Sequence, residues 1–224
     1  SSPLNSRSIV LKFSLLGALY FSQGIPNGFF RHAVPVIFKQ SGLSLEEIGF
    51  YLPALYLPWM FKLIWTGLIE KFQILKFGRY RSSIILLQIL TAITILSLSI
   101  WQLGGKLSIF VFLVFTINLW SSMQDIATDG FSVFLLEKSE KGWGNSVQIG
   151  FFWIGYIVGG GLLLILLAKT NWSLSLRLMA FIIILITIPV LFLNQSSTPD
   201  NTKTIKNWES ILTFIKQPKA KFCC

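Results

Sequence analysis

Charge is scarce in this chain. Only 12% of its 224 residues are Asp, Glu, Lys or Arg, while 53% are hydrophobic. Soluble domains carry roughly 25% charged residues, so a polytopic membrane protein is expected instead of a water-solvated globule. Histidine occurs once, at His32, and cysteine twice, at Cys223 and Cys224. One imidazole and two terminal thiols cannot assemble a metal site at workable spacing. Adjacent cysteines cannot staple a core either, which leaves them as bystanders or a palmitoylation site. The HExxH, GxSxG and Walker lysine motifs are absent, so neither an enzyme nor a cofactor or metal is predicted. A cleavable signal peptide is also missing: the first apolar segment is too long, and no small-residue cleavage site follows it. The chain opens on Ser1, as a trimmed or partial sequence would.

What is present is a series of long apolar runs. A membrane helix needs about 20 apolar residues at ~1.5 Å rise each. Six segments qualify, near 11–38, 45–69, 82–102, 107–136, 143–168 and 172–194. The expected fold class is therefore all-α: a short arm over 1–10, a six-helix transmembrane bundle over 11–194, and a linker over 195–224. Within that linker Ile205, Trp208, Ile211, Leu212 and Ile215 fall at helical spacing, which predicts an interfacial amphipathic helix.

Basic residues set the expected orientation. With the N-terminus cytoplasmic, the cytoplasmic segments hold Arg7, Lys12, Lys71, Lys76, Arg79, Arg81, Lys138, Lys141, Lys203, Lys206, Lys216, Lys219 and Lys221. The opposite side holds only Lys39, Lys106, Lys169 and Arg177. That asymmetry follows the positive-inside rule. It accounts for the net charge of +10 without a nucleic-acid partner.

Polar residues inside the apolar runs are the functional clue. The fourth run carries Gln124, Asp125 and Asp129, and the two carboxylates, four residues apart, share a helix face. Asn118, Ser121, Ser122, Thr128 and Ser132 extend that stripe. On the first run Tyr20, Gln23, Asn27 and Arg31 step by three or four, and on the fifth Asn145, Gln148, Gly155, Tyr156 and Gly159 lie broadly together. Three such stripes predict a shared polar interior. Hydroxyl and amide side chains also serve as plain helix-to-helix glue, which is the favoured reading for Ser and Thr here. For Asp125, Asp129 and Arg31 function is favoured, because a charge at membrane depth costs several kcal/mol, from ~2.5 upward.

Lys62, in the second run, falls at a depth similar to that of Asp125. The two can form either a fixed ion pair or a switch that breaks and re-forms. Pro26 should kink the first helix, whereas Pro53, Pro58 and Pro189 are read as bends. Gly155 and Gly159 to Gly161 permit close helix approach. His32 can titrate near neutral pH or be a bystander.

Short motifs carry a resemblance. Gly67, Glu70 and Lys71, followed by Gly78, Arg79 and Arg81, resemble the loop signature of the major facilitator superfamily, with Glu and Lys in place of Asp and Arg. QGIP at 23–26, FKLIW at 61–65, QDIATDG at 124–130 and GNSVQIG at 144–150 look like one branch of it. That branch holds the AmpG-type muropeptide permeases and the acetyl-coenzyme A transporters.

The resemblance covers about 11–194 and implies the N-terminal half of a twelve-span transporter. It implies proton coupling at Asp125 and Asp129, charge pairing or substrate contact at Lys62, and a conformational role for the loop signature. Arg31, Gln23, Asn27, Gln124, Asn118 and Gln148 are further substrate or charge-pair candidates on chemistry alone.

The implied activity is proton-coupled import of muropeptides across a bacterial inner membrane. The alternatives are transport of acetyl-coenzyme A or another anion and, in another class, a non-transporting half-length scaffold. Expected partners are membrane lipid, a small solute with protons, and either a C-terminal six-helix half or a second copy.

Overall fold

The computed structural model describes residues 6–71, 79–101 and 106–192, and regular structure there is helical throughout. These helices belong to one compact unit. The expected amphipathic helix around Trp208, the two cysteines and Gly78 lie outside the described residues.

Helix α1 runs Ser6–Gln40 and stays helical through Pro26 and Pro35. Next come α2 (Leu45–Leu55), α3 (Leu57–Met60) and α4 (Lys62–Lys71). After these follow α5 (Arg79–Ile100), α6 (Leu107–Leu135), α7 (Lys141–Ile157), a π-helical turn (Val158–Leu162), α8 (Leu163–Lys169) and α9 (Trp172–Phe192). Five helical stretches among the described residues are long and apolar enough to cross a membrane: Ile9–Gln40, Tyr80–Ile100, Leu107–Leu135, Lys141–Lys169 and Trp172–Phe192.

The second expected span, 45–69, is not one helix, which corrects the reading of Pro58 as a mere bend, while Pro53 stays inside α2. Ser44 starts α2 well: its hydroxyl accepts from Glu47 N at 3.2 Å, and its own N–H donates to the Glu47 carboxylate at 2.8 Å, a capping box. Pro58 then has no N–H for the carbonyl of Ala54 and crowds it, and the helix breaks at Tyr56. A second break at Phe61 precedes α4. Near it the Pro58 carbonyl accepts the Trp65 indole N–H at 3.0 Å. This second break makes Lys62 the first residue of α4.

Helices α1 and α7 cross closely because four glycines face each other's backbones. A Cβ added at Gly24 would sit 2.1 Å from the Phe152 carbonyl oxygen, and one at Gly28 2.1 Å from that of Tyr156. In return, a Cβ at Gly155 or Gly159 would sit 2.2 or 1.9 Å from the carbonyls of Phe21 and Ile25. No side chain fits in those gaps, so close approach is the reason for glycine at all four positions.

The core divides into two apolar clusters. One gathers Phe29, Phe38, Ile95, Phe110, Ile117 and Leu176; the other gathers Leu16, Leu19, Ile84, Ala127, Phe131 and Val190. Between them, along α1, α5, α6 and α9 alike, lies a layer of buried polar residues: Ser22 and Gln23, Gln88, Ser121, Ser122 and Gln124, and Thr187. Gln88 ties the layer together. Its amide donates to Ser22 Oγ at 3.1 Å, and its carbonyl accepts from Thr187 Oγ1 at 3.0 Å.

Candidate functional site

Beside that neutral layer sits a charged cluster built from α1, α4 and α6. Lys62, at the start of α4, pairs with Asp125 and lies 3.0 Å from Asp129 Oδ2. Both carboxylates project from α6 one turn apart, so a single ammonium can bridge them. The Tyr20 hydroxyl of α1 donates to the other oxygen of Asp129. Side-chain exposure rises from 16% at Asp125 through 34% at Lys62 to 50% at Asp129. The cluster therefore opens toward Asp129 and closes behind Asp125.

Two glutamines flank it. Gln23 donates to Thr128 Oγ1 at 3.1 Å, and Thr128 in turn donates to the Gln124 carbonyl at 2.9 Å. Gln23 Oε1 and Gln124 Nε2 are buried and find no protein partner among the described residues. Leaving such a group unmatched costs about 1–3 kcal/mol. One is an acceptor and the other a donor, so a water or a polar solute can answer both.

The remaining expected site residues separate into distinct environments. Asn118 donates back to Val114 O at 3.0 Å and accepts from Trp59 Nε1 at 3.2 Å, which ties α6 to α3. Asn27 and Gln148 are half-buried. Arg31 is exposed and forms no ion pair among the described residues. Gly67 lies in α4, where an added Cβ would meet nothing within 4 Å. Glu70 and Lys71 close α4, and Arg79 opens α5. Arg81 is buried, with Nε donating to Val190 O at 2.7 Å and a terminal nitrogen donating to Leu191 O. It thereby answers carbonyls at the end of α9, as basic residues commonly do.

Sequence reasoning placed Tyr20 on the α1 stripe but did not single it out; its seven-residue spacing from Asn27 on the same face was the available signal. It also missed Lys12, whose ammonium meets Glu140 at 3.0 Å. Glu140 further accepts from Glu137 N at 2.9 Å. That backbone bond, followed by Lys12, holds the Glu140 carboxyl below the usual carboxylate range. An apolar groove lined by Tyr51, Leu55, Val111 and Phe115 contains none of the charged residues. Among the described residues no three His, Cys, Asp or Glu side chains gather as a metal site.

Chemically, the charged cluster can exchange a proton for an ion pair. Protonating one carboxylate removes a partner of Lys62 while the second carboxylate still holds it.

The family described as Acetyl-coenzyme A transporter 1 matches residues 12–111. An anhydromuropeptide permease of Escherichia coli K12 is 28% identical over 210 residues, covering 93% of this chain and 42% of that protein. An uncharacterized protein of Haemophilus influenzae is 28% identical over 173 residues, 77% of this chain and 40% of that one. A putative transporter named AmpG 4 from Rickettsia conorii is 25% identical over 204 residues, 89% and 49% respectively. The chain thus spans less than half the length of these curated relatives. It is an integral membrane protein related, at low identity, to the AmpG permease and acetyl-coenzyme A transporter branches of the major facilitator-like transporters.

Proposed function

We propose that this chain forms part of a proton-coupled solute importer, with Asp125 and Asp129 as the proton-carrying groups and Lys62 as their switchable partner. The observation that carries the reading is the single ammonium bridging two carboxylates of one membrane-spanning helix, α6. Such charge is costly unless it is paired or used. In the resting arrangement Lys62 joins α4 to α6. A proton arriving from the open, Asp129 side releases one arm of that bridge. The Tyr20 hydroxyl of α1 then loses its charged acceptor on α6 as well. Three elements are loosened by one proton, a change of the kind that alternating access requires. The uneven distribution of basic residues supports a cytoplasmic N-terminus, and in this reading a second six-helix half, in the same chain or from a second copy, supplies the other wall of the path.

The permease likeness covers more of the chain than the acetyl-coenzyme A transporter family does. A muropeptide is therefore the first solute to test, and acetyl-coenzyme A or another anion the second. Cells expressing the gene should take up labelled anhydromuropeptide, and a protonophore should abolish that uptake. Uptake indifferent to the protonophore would remove the proton from the reading. No uptake by protein verified in the membrane would move the search to nucleotide thioesters.

A further inference from the structure

Arg31 is a charged group that the proton chemistry leaves unused. It lies within the membrane-spanning stretch Ile9–Gln40, it is exposed, and no carboxylate among the described residues pairs with it. Its place on α1 is not arbitrary. At 100° per residue, Asn27 and Arg31 fall about 20° to either side of Tyr20. Tyr20 bonds Asp129 of α6, so this face of α1 looks toward the charged cluster. Eleven residues of rise separate Arg31 from Tyr20 along the axis, about 16 Å.

Two tyrosines come from segments that pack against α1, one at the end of α2 and one on α7. Tyr56 stands at the break between α2 and α3, within electrostatic reach of both Arg31 and Tyr156. Tyr156, on α7, has its hydroxyl 3.4 Å from His32 Nε2. Both tyrosines are half-buried. They come from different helices, and each has its position fixed by a feature already described. The proline break sets Tyr56, and the glycine crossing sets Tyr156, whose carbonyl lies against Gly28. A guanidinium offers a planar fork that matches an oxyanion in two places, and tyrosine hydroxyls add further donors.

We propose that Arg31, with Tyr56 and Tyr156, forms a subsite for an oxyanion, carboxylate or phosphate, at one end of an elongated solute. The solute's other end would reach toward the Lys62–Asp129 cluster. This rests on the reading that the α1 stripe lines a solute path, but it makes a claim that can be tested without transport.

The experiment is arginine footprinting of the full-length purified protein with butanedione, read peptide by peptide by mass spectrometry. Arg177, exposed on α9, is the internal control. In lipid-free nonionic detergent Arg31 should react readily. Millimolar pyrophosphate or citrate should slow it about fivefold while leaving Arg177 unchanged, because a bidentate anion occupies the guanidinium edge. Protection by pyrophosphate alone assigns a phosphate, and protection by citrate alone assigns a carboxylate.

Replacing both tyrosines, Tyr56→Phe with Tyr156→Phe, should abolish most of the protection without changing the anion-free rate. Three results overturn the proposal: an Arg31 that is unreactive without anion, since the protein then pairs it; reaction unaffected by either anion; or protection in phospholipid nanodiscs that neither anion reproduces, since a lipid headgroup is then its partner. None depends on a proton gradient, so failure here and failure of proton-coupled uptake are separable.

Discussion

Ser22 and Gln23 are neighbours on α1, yet they face two different regions. Ser22 belongs to the neutral network with Gln88 and Thr187, in which hydroxyls and one amide answer each other and sit within 5% exposure of full burial. Gln23 instead bonds Thr128 of α6, the neighbour in sequence of the half-exposed Asp129, and its side-chain oxygen goes unmatched among the described residues. The first region is closed and satisfied. The second is open, charged and short of partners. In a membrane, polar groups that complete each other join helices at about 0.6 kcal/mol per bond and at most about 1.7. Groups left incomplete cost stability, and they persist where a ligand or proton can complete them. On this contrast the network is structure, and the cluster is the place to look for function.

Changes at the carboxylates should break the comparison hardest. Asp125→Asn and Asp129→Asn should each lower proton-dependent uptake by tenfold or more, about 1.4 kcal/mol or above, with membrane insertion unchanged. Normal uptake in both single variants and in the double variant would dissolve the distinction between the two regions.

A second effect separates pairing from packing. Lys62→Met alone leaves two carboxylates without a cation and should destabilise the protein by about 3 kcal/mol. Adding Asp125→Asn should recover part of that loss in a thermal-unfolding cycle. Strict additivity would mean that the ion pair contributes nothing beyond its members.

Gln88→Leu tests the opposite region. It should cost about 1–2 kcal/mol, since Ser22 and Thr187 both lose a partner, while uptake per folded molecule stays at the wild-type level. A loss of uptake with unchanged stability would place the network in the transport path.

The smallest expected effect lies at the Lys12–Glu140 contact, which joins the start of α1 to the turn before α7. The Glu140 carboxyl is held below its ordinary value of 4.5 by the Glu137 N–H and then by Lys12. Its stabilisation is therefore complete above that value and fades as pH falls through the lowered folded-state value. Wild type should lose slightly more thermal stability than Glu140→Gln on acidification through that window, and the two should run parallel above pH 6. Identical pH curves would remove the contact from the ledger of α1–α7 interactions.

Much of this was legible from residue order alone. Hydropathy runs long enough to cross a membrane follow from composition and length, because a helix is the only single segment that satisfies its backbone in lipid. The carboxylates of Asp125 and Asp129 had to share a face, since four residues make about one turn. Counting from span midpoints sets Lys62 at a depth similar to that of Asp125, although the run it counts along breaks at Tyr56 and Phe61. Gly155 and Gly159 announced a close approach by their spacing, although not the helix they approach.

Other features depended on contacts between distant segments. That Lys62 touches both carboxylates depends on where the chain breaks at Phe61 and how α4 then lies against α6. That Tyr20 meets Asp129 while Ser22 meets Gln88 depends on which neighbour each side of α1 faces. The sequence by itself determined the membrane class, the helical runs and the charges that lipid must tolerate, because those are set by local composition and helix period. Tertiary structure alone decided which charges meet, which hydroxyls answer each other and that Arg31 forms no ion pair among the described residues, because those outcomes depend on helix rotation and crossing, and no local pattern encodes them.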